Sequence, residues 1–230
     1  MRTRKQRRTE PNISTLAPPS AALVCLLMSL CALGATPQQL PNIVREPAQG
    51  VFLVAKKSLS DPNSSRTVVL LTDHGFHGSI GLIVNKTSTV SVVSTLPELT
   101  GLEDAATKLH FGGPLQIRSV RLLVSTQHNI PAAQRLLPGV FFVNSTATLR
   151  SILTADPSAM APTINYYAGF AAWSPGQLDA EIAHGSWHLI KADRATIFEH
   201  DSATIWLELI KKLEGTWVLM ENASAADTPL

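Results

Sequence analysis

Residues 164–191, INYYAGFAAWSPGQLDAEIAHGSWHLIK, confine the chain more than any other stretch, because their local signals agree on one strand, helix, strand unit. Ser174 stands as a helix cap, Pro175 suits the first helical position, and Gln177 completes a capping box three residues on. Leu178 and Ile182 then share one face, Asp179 and Glu181 put negative charge in the early turns, and Gly185 offers a left-handed stop. The spacing predicts a helix of about ten residues. Tyr166 to Trp173 before it and Trp187 to Lys191 after it are rich in strand formers. The unit specifies structure and no chemistry.

The start of the chain reads as a targeting segment. Arg2, Arg4, Lys5, Arg7 and Arg8 face a single acid, Glu10, ahead of fifteen uncharged residues, AALVCLLMSLCALGA. A spanning helix needs about 20 apolar residues, so the run suits a secretory core, with Ala32-Leu33-Gly34 as its small-x-small end. Residues 1–35 are therefore expected to be a cleaved signal, which exports the rest to a periplasmic or extracellular space. An uncleaved membrane anchor, an organelle transit peptide and a cytoplasmic location are the alternatives. Both cysteines, Cys25 and Cys31, lie inside the apolar run, so a processed chain has no disulfide, thiolate metal site or cysteine nucleophile. Processing also turns a formal +2 into 14 bases against 16 acids, which leaves no basic stripe for nucleic acid.

Residues 36–49 read as a Pro- and Gln-containing linker, 50–220 as one domain, and 221–230 as a flexible polar tail. Within the domain, strands are expected at Val51 to Ala55, Thr67 to Thr72, Ser79 to Asn85, Lys108 to Phe111, Arg121 to Ser125 and Val140 to Val143. A turn is expected at Asp61 to Ser65, a short helix or turn at Ser91 to Leu99, and helices at Thr146 to Thr154 and Ser202 to Lys212. Strands outnumber helices without alternating with them, which points to an α+β fold.

Seven short words, taken in order, carry a resemblance. They are Gly50-Val51-Phe52-Leu53-Val54-Ala55, Asp61-Pro62 with Thr67-Val68-Val69-Leu70-Leu71, Gly78-Ser79-Ile80-Gly81-Leu82-Ile83-Val84-Asn85, and Gly112-Gly113-Pro114. Gly169-Phe170-Ala171-Ala172-Trp173-Ser174-Pro175-Gly176-Gln177-Leu178-Asp179, then Gly185-Ser186-Trp187, then Ile197-Phe198 with Trp206 complete the set. In this the chain resembles the YqgE/AlgH family of small bacterial proteins, which also has plant members. The pattern departs from the family at Ser64 for phenylalanine, Lys86-Thr87 for arginine-proline, Phe170 for tyrosine and Ala172 for glycine. The resemblance implies a single α+β domain, a mixed β-sheet with a small barrel-like part surrounded by helices. It also brings the label of transcriptional regulator, which the charge arithmetic does not favour.

Chemistry-bearing motifs are sparse. His74 and His77, with Asp73, have no further ligand at a recognisable metal spacing, and read as a solvated hairpin loop. Glu181 and His184 have the E-x-x-H spacing of carboxylate-bridged metals, but on a short helix with no second copy. No nucleophile elbow, P-loop or dinucleotide fingerprint occurs, so no catalytic residue, metal ligand or cofactor is assigned. Gly112, Gly113 and Asn85 serve first as backbone devices. The functional expectation is a ligand cleft lined by Asn85, Gly112, Gly113, Trp173 and Gln177, with Trp173 as stacking face and the two amides as orienting groups. The role expected is a non-catalytic module for a small ligand or a protein, with a membrane met only through residues 1–35. A DNA-associated regulator and an enzyme without a recognised motif are the alternatives.

Overall fold

A computed structural model describes residues 42–91, 108–153 and 162–226 of the chain. The expected signal segment, the stretch 92–99 and the last four residues lie outside them. In chain order the elements are β1 (Val51–Ala55), β2 (Val68–Gly75), β3 (Gly78–Ile83), β4 (Thr87–Ser91), β5 (Lys108–Phe111), β6 (Leu115–Ser125), β7 (Gln134–Leu137) and β8 (Val140–Val143). There follow α1 (Thr146–Leu153), β9 (Thr163–Trp173), α2 (Gln177–Ala183), β10 (Trp187–Lys191), α3 (Arg194–Phe198) and α4 (Ile205–Ala226).

The strands make one sheet in the order β10-β1-β2-β3-β9-β6-β8-β7, with β4 attached through β5 to β9. The β5–β9 pair is parallel and the other described pairs are antiparallel. Phe52 of β1 and Val140 of β8 share one buried cluster although five strand steps separate them. Those steps span roughly 24 Å in a flat sheet, so the sheet must curl. Its rims are tied where Gln134 Nε2 donates to the Thr72 carbonyl at 2.8 Å and Gln49 Nε2 to that of Arg135 at 2.7 Å. Inside the curl, α4 contributes Ile205, Leu209, Ile210 and Leu213.

The outer face of β1 and β2 buries Val51, Leu53, Val69 and Leu71 against Leu178 of α2, Trp173 and Trp187. Both faces of β1 are thus covered, and all five of its residues are buried. This is why VFLVA reads as an unbroken apolar run rather than an alternating one. The result is a curled, mostly antiparallel half-barrel with few helices, so the α+β class fits only loosely. Three elements were not anticipated: β4, β7, and α3, whose start is capped by Asp193 accepting from the Thr196 amide at 2.8 Å. At the ends of the domain, Ile43 bridges to Ile190 and the backbone of α4 stays helical to Ala226. Among the described residues no helix is long and apolar enough to cross a membrane, which says nothing of strands.

Candidate functional site

The strand, helix, strand unit forms, with a different cap. Gly176, at φ 75°, is the N-cap of α2, and no side chain caps the helix. Half of the expected box survives, because Gln177 Oε1 accepts from the Ser174 amide at 3.1 Å. Pro175 and Gly176 form a turn before the first helical residue, so the helix is a seven-residue one. It closes as foreseen at Gly185, φ 78°, where the Gly185 amide donates to Ile182 and the Ser186 amide to Glu181, a Schellman pair.

Glu181 is the residue that organises this unit. Its Oε2 accepts from the indole of Trp173 at 3.0 Å and from that of Trp187 at 2.9 Å, while its Oε1 accepts from Gln177 Nε2 at 3.1 Å. The two indoles meet edge to face at 6.2 Å and are 9 % and 4 % exposed. A buried indole N–H needs an acceptor, and one helical carboxylate supplies both, pinning the end of β9 to the start of β10. From sequence Glu181 reads as early-turn charge and as half of an E-x-x-H pair with His184, and neither reading contains the clamp. In the structure His184 Nδ1 turns to the Ala180 carbonyl, and among the described residues no three metal-capable side chains converge. The signal that could have found the clamp is two tryptophans flanking a helix that carries one acid facing inward.

Beside the clamp lies a cleft of about 450 Å³ between the 59–67 loop, the end of β9 and α2. Val69, Ile83, Ala171, Trp173 and Trp187 give it an apolar floor, and Asp61, Asn63, Ser64, Thr67, Gln177 and Glu181 a polar rim. The loop wall is rigid: Asp61 Oδ1 accepts the amides of Asn63 and Ser64 at 3.0 and 2.9 Å, the side-chain-closed turn its composition implied.

Of the expected site residues, the structure brings Trp173 and Gln177 together in this cleft. Asn85 is not among its lining residues, because its side chain is consumed by backbone: Oδ1 accepts the Val68 amide at 2.7 Å and Nδ2 donates to the Arg66 carbonyl at 2.9 Å. It therefore braces Thr67, which lies between those two and does line the cleft. Gly112 and Gly113 are also absent from the lining, since they pack backbone to backbone on β9. The following Pro114 and Leu115 do reach the cleft.

A sequence profile for the AlgH-like family, DUF179, matches residues 52–218, a span that contains every residue lining the cleft. The chain belongs to the AlgH-like family. Among its relatives are the UPF0301 protein CT0663 of Chlorobaculum tepidum, 32 % identical over 76 % of this chain and 91 % of that protein, and the UPF0301 protein SCO2948 of Streptomyces coelicolor, 30 % identical over 78 % and 93 %. Two solved structures share the fold. The crystal structure of DIP2367 from Corynebacterium diphtheriae superposes with a TM-score of 0.60 at 29 % identity, covering 73 % of this chain and 88 % of that one. The solution structure of AlgH from Pseudomonas aeruginosa gives 0.53 at 26 %, covering 68 % and 85 %.

The titration of His188 gives this AlgH-like domain a pH dependence of defined sign. Burial depresses the proton affinity of His188 on β10, the Lys56 charge depresses it further, and Glu214 opposes both. The folded value lies below the unfolded one, so the unfolded chain binds more protons as pH drops through the ordinary histidine range. Stability is full above that range and falls as pH descends towards the folded value. We expect the Tm of the wild type to drop more than that of His188→Gln between about pH 7.5 and about pH 5. Equal drops in the two proteins would remove the assignment.

Proposed function

We propose that the AlgH-like domain is a non-catalytic binding module whose ligand site is the cleft between the 59–67 loop and α2. The observation that carries this reading is a cavity with a floor of two indoles and aliphatic side chains under a polar rim, the usual make-up of a small-ligand site. The rim carboxylates are engaged in scaffolding: Glu181 accepts three donors, and one oxygen of Asp61 accepts two. Both orient neighbours, as a recognition surface requires. The ligand class that fits is a compact, largely apolar body, a free molecule or a side chain of a protein partner, with one or two donors for the rim.

Ser64 gives the reading a steric test, since it lines the cleft at a position where the family resemblance implies phenylalanine. Ser64→Phe adds an aromatic ring to a cleft of about 450 Å³. We expect fragment screening by two-dimensional NMR to give wild-type shifts centred on Thr67, Gln177 and the indole N–H signals of Trp173 and Trp187. In Ser64→Phe the same fragments weaken at least about tenfold, the scale of losing one well-filled apolar contact. Shifts that cluster elsewhere, or that persist undiminished in the variant, would sink the assignment.

A further inference from the structure

The 59–67 loop has a second side. There, a separate cleft of about 710 Å³ is lined by Lys56, Lys57, Ser60, Ser65, Arg66 and Trp206, and it shares only Leu59 with the first. Lys57 is paired with Glu214. Among the described residues neither Lys56 nor Arg66 is in an ion pair, and no carboxylate lines this cleft. Like charges gathered without counter-charge raise each other's energy, and a bound anion relieves it.

The backbone of Arg66 makes the arrangement more than a chance of surface charge. Arg66 sits at φ 54°, in the left-handed region that a branched-chain-sized residue enters at a cost, and such residues persist only where surrounding contacts fix them. The contacts are visible: Asn85 grips the carbonyl of Arg66 and the amide of Val68 on either side. The guanidinium stands 5.9 Å over the ring of Trp206, whose own Nε1 is anchored to the Ala55 carbonyl at 2.7 Å. A strained arginine is thus held by one amide side chain and laid against a fixed aromatic wall, beside a free lysine and two hydroxyls.

We propose that this cleft binds a compact phosphate-bearing anion, with Lys56 and Arg66 as its ligands, Ser60 and Ser65 as hydroxyl donors, and Asn85 as the residue that positions Arg66. A phosphate monoester carries nearly two negative charges and three acceptor oxygens. It can therefore neutralise both cations and take a hydroxyl at once, the guanidinium matching two oxygens and the ammonium acting as a point charge. A carboxylate has half the charge and too few acceptors for that set. The phosphate can belong to a free metabolite or to a lipid headgroup, which present the same chemistry.

Calorimetric titration of the full chain with inorganic pyrophosphate at low salt tests the proposal. Binding is expected in the wild type, and Lys56→Gln and Arg66→Gly each weaken it at least about tenfold, the scale of one charge-assisted contact. Arg66→Gly retains the loop, because glycine takes a positive φ without strain, so its Tm stays at or above that of the wild type. Lys57→Gln, which removes an ammonium already neutralised, shifts affinity by less than about threefold. Asn85→Ala weakens binding in the wild type but adds nothing in the Arg66→Gly background, since it acts through that side chain. Parallel titrations with glycerol phosphate and with vesicles containing phosphatidic acid identify the source, and either response supports the site if Arg66→Gly abolishes it. Absence of saturation by pyrophosphate, indifference to both Lys56→Gln and Arg66→Gly, or preferential displacement by duplex DNA would overturn it.

Discussion

Gly113→Ala is expected to lower the stability of the domain by about 3 to 5 kcal/mol, the sum of an overpacked contact and a side chain forced into glycine-only backbone space. Gly113 has φ 151°, and a Cβ there would lie 2.1 Å from the Phe170 carbonyl carbon and 2.4 Å from the Ala171 amide. Neither neighbour is a side chain that can swing aside. The partner position is as tight, for a Cβ on Gly169, φ 70°, would sit 2.3 Å from the Gly113 carbonyl oxygen. This contact is where β6 bulges against β9, since Leu115 pairs with Phe170 and Val120 with Ala168 on either side of Gly169. Gly176→Ala is the control, since it is also left-handed but has nothing within 4 Å of the added carbon. It should cost only the conformational strain, about 1 to 2 kcal/mol. Urea unfolding followed by tryptophan fluorescence reads both, and equal losses in the two variants would show that the close approach is not what requires glycine.

Removal of the Glu181 carboxylate is the second large effect. Glu181→Ala leaves two buried indole N–H groups and the Gln177 amide without their acceptor. A buried donor left unsatisfied costs about 1 to 3 kcal/mol, so about 3 kcal/mol is expected for the pair of indoles, before any loss from the helix contact. Glu181→Gln separates the clamp from the charge. Both indoles donate to the same oxygen, so a glutamine carbonyl can serve them, at the expense of the Gln177 contact and the charge assistance. Its loss should be about 1 kcal/mol. Upfield movement of both indole N–H resonances in Glu181→Gln would accompany this. If the alanine variant melts with the wild type, the clamp is not what joins β9 to β10.

These two residues mark the boundary of what could be read from the chain. Gly113 was legible as a backbone device in the Gly112-Gly113-Pro114 word, yet only the neighbouring strand shows what it must avoid. Glu181 was visible as an acid in the first turns of a helix, but its acceptors' partners come from a strand before and a strand after it. Asn85 satisfies backbone groups, which its residue type implies, and its side chain is not among the residues lining the cleft. Which side of the 59–67 loop it serves depends on a contact seventeen residues away in sequence.

By itself the sequence determined the kinship, the main strands β1, β2, β3 and β9, and the strand, helix, strand unit that carries Trp173 and Gln177. Those are local matters, set by apolar runs, glycine stops and turn chemistry that neighbouring residues impose on one another. The curl of the sheet, the indole clamp and the two clefts on either side of one loop were decided only by tertiary structure. The physical reason is that each depends on groups brought together across strands, and a one-dimensional pattern fixes which side chains are buried without fixing which of them meet.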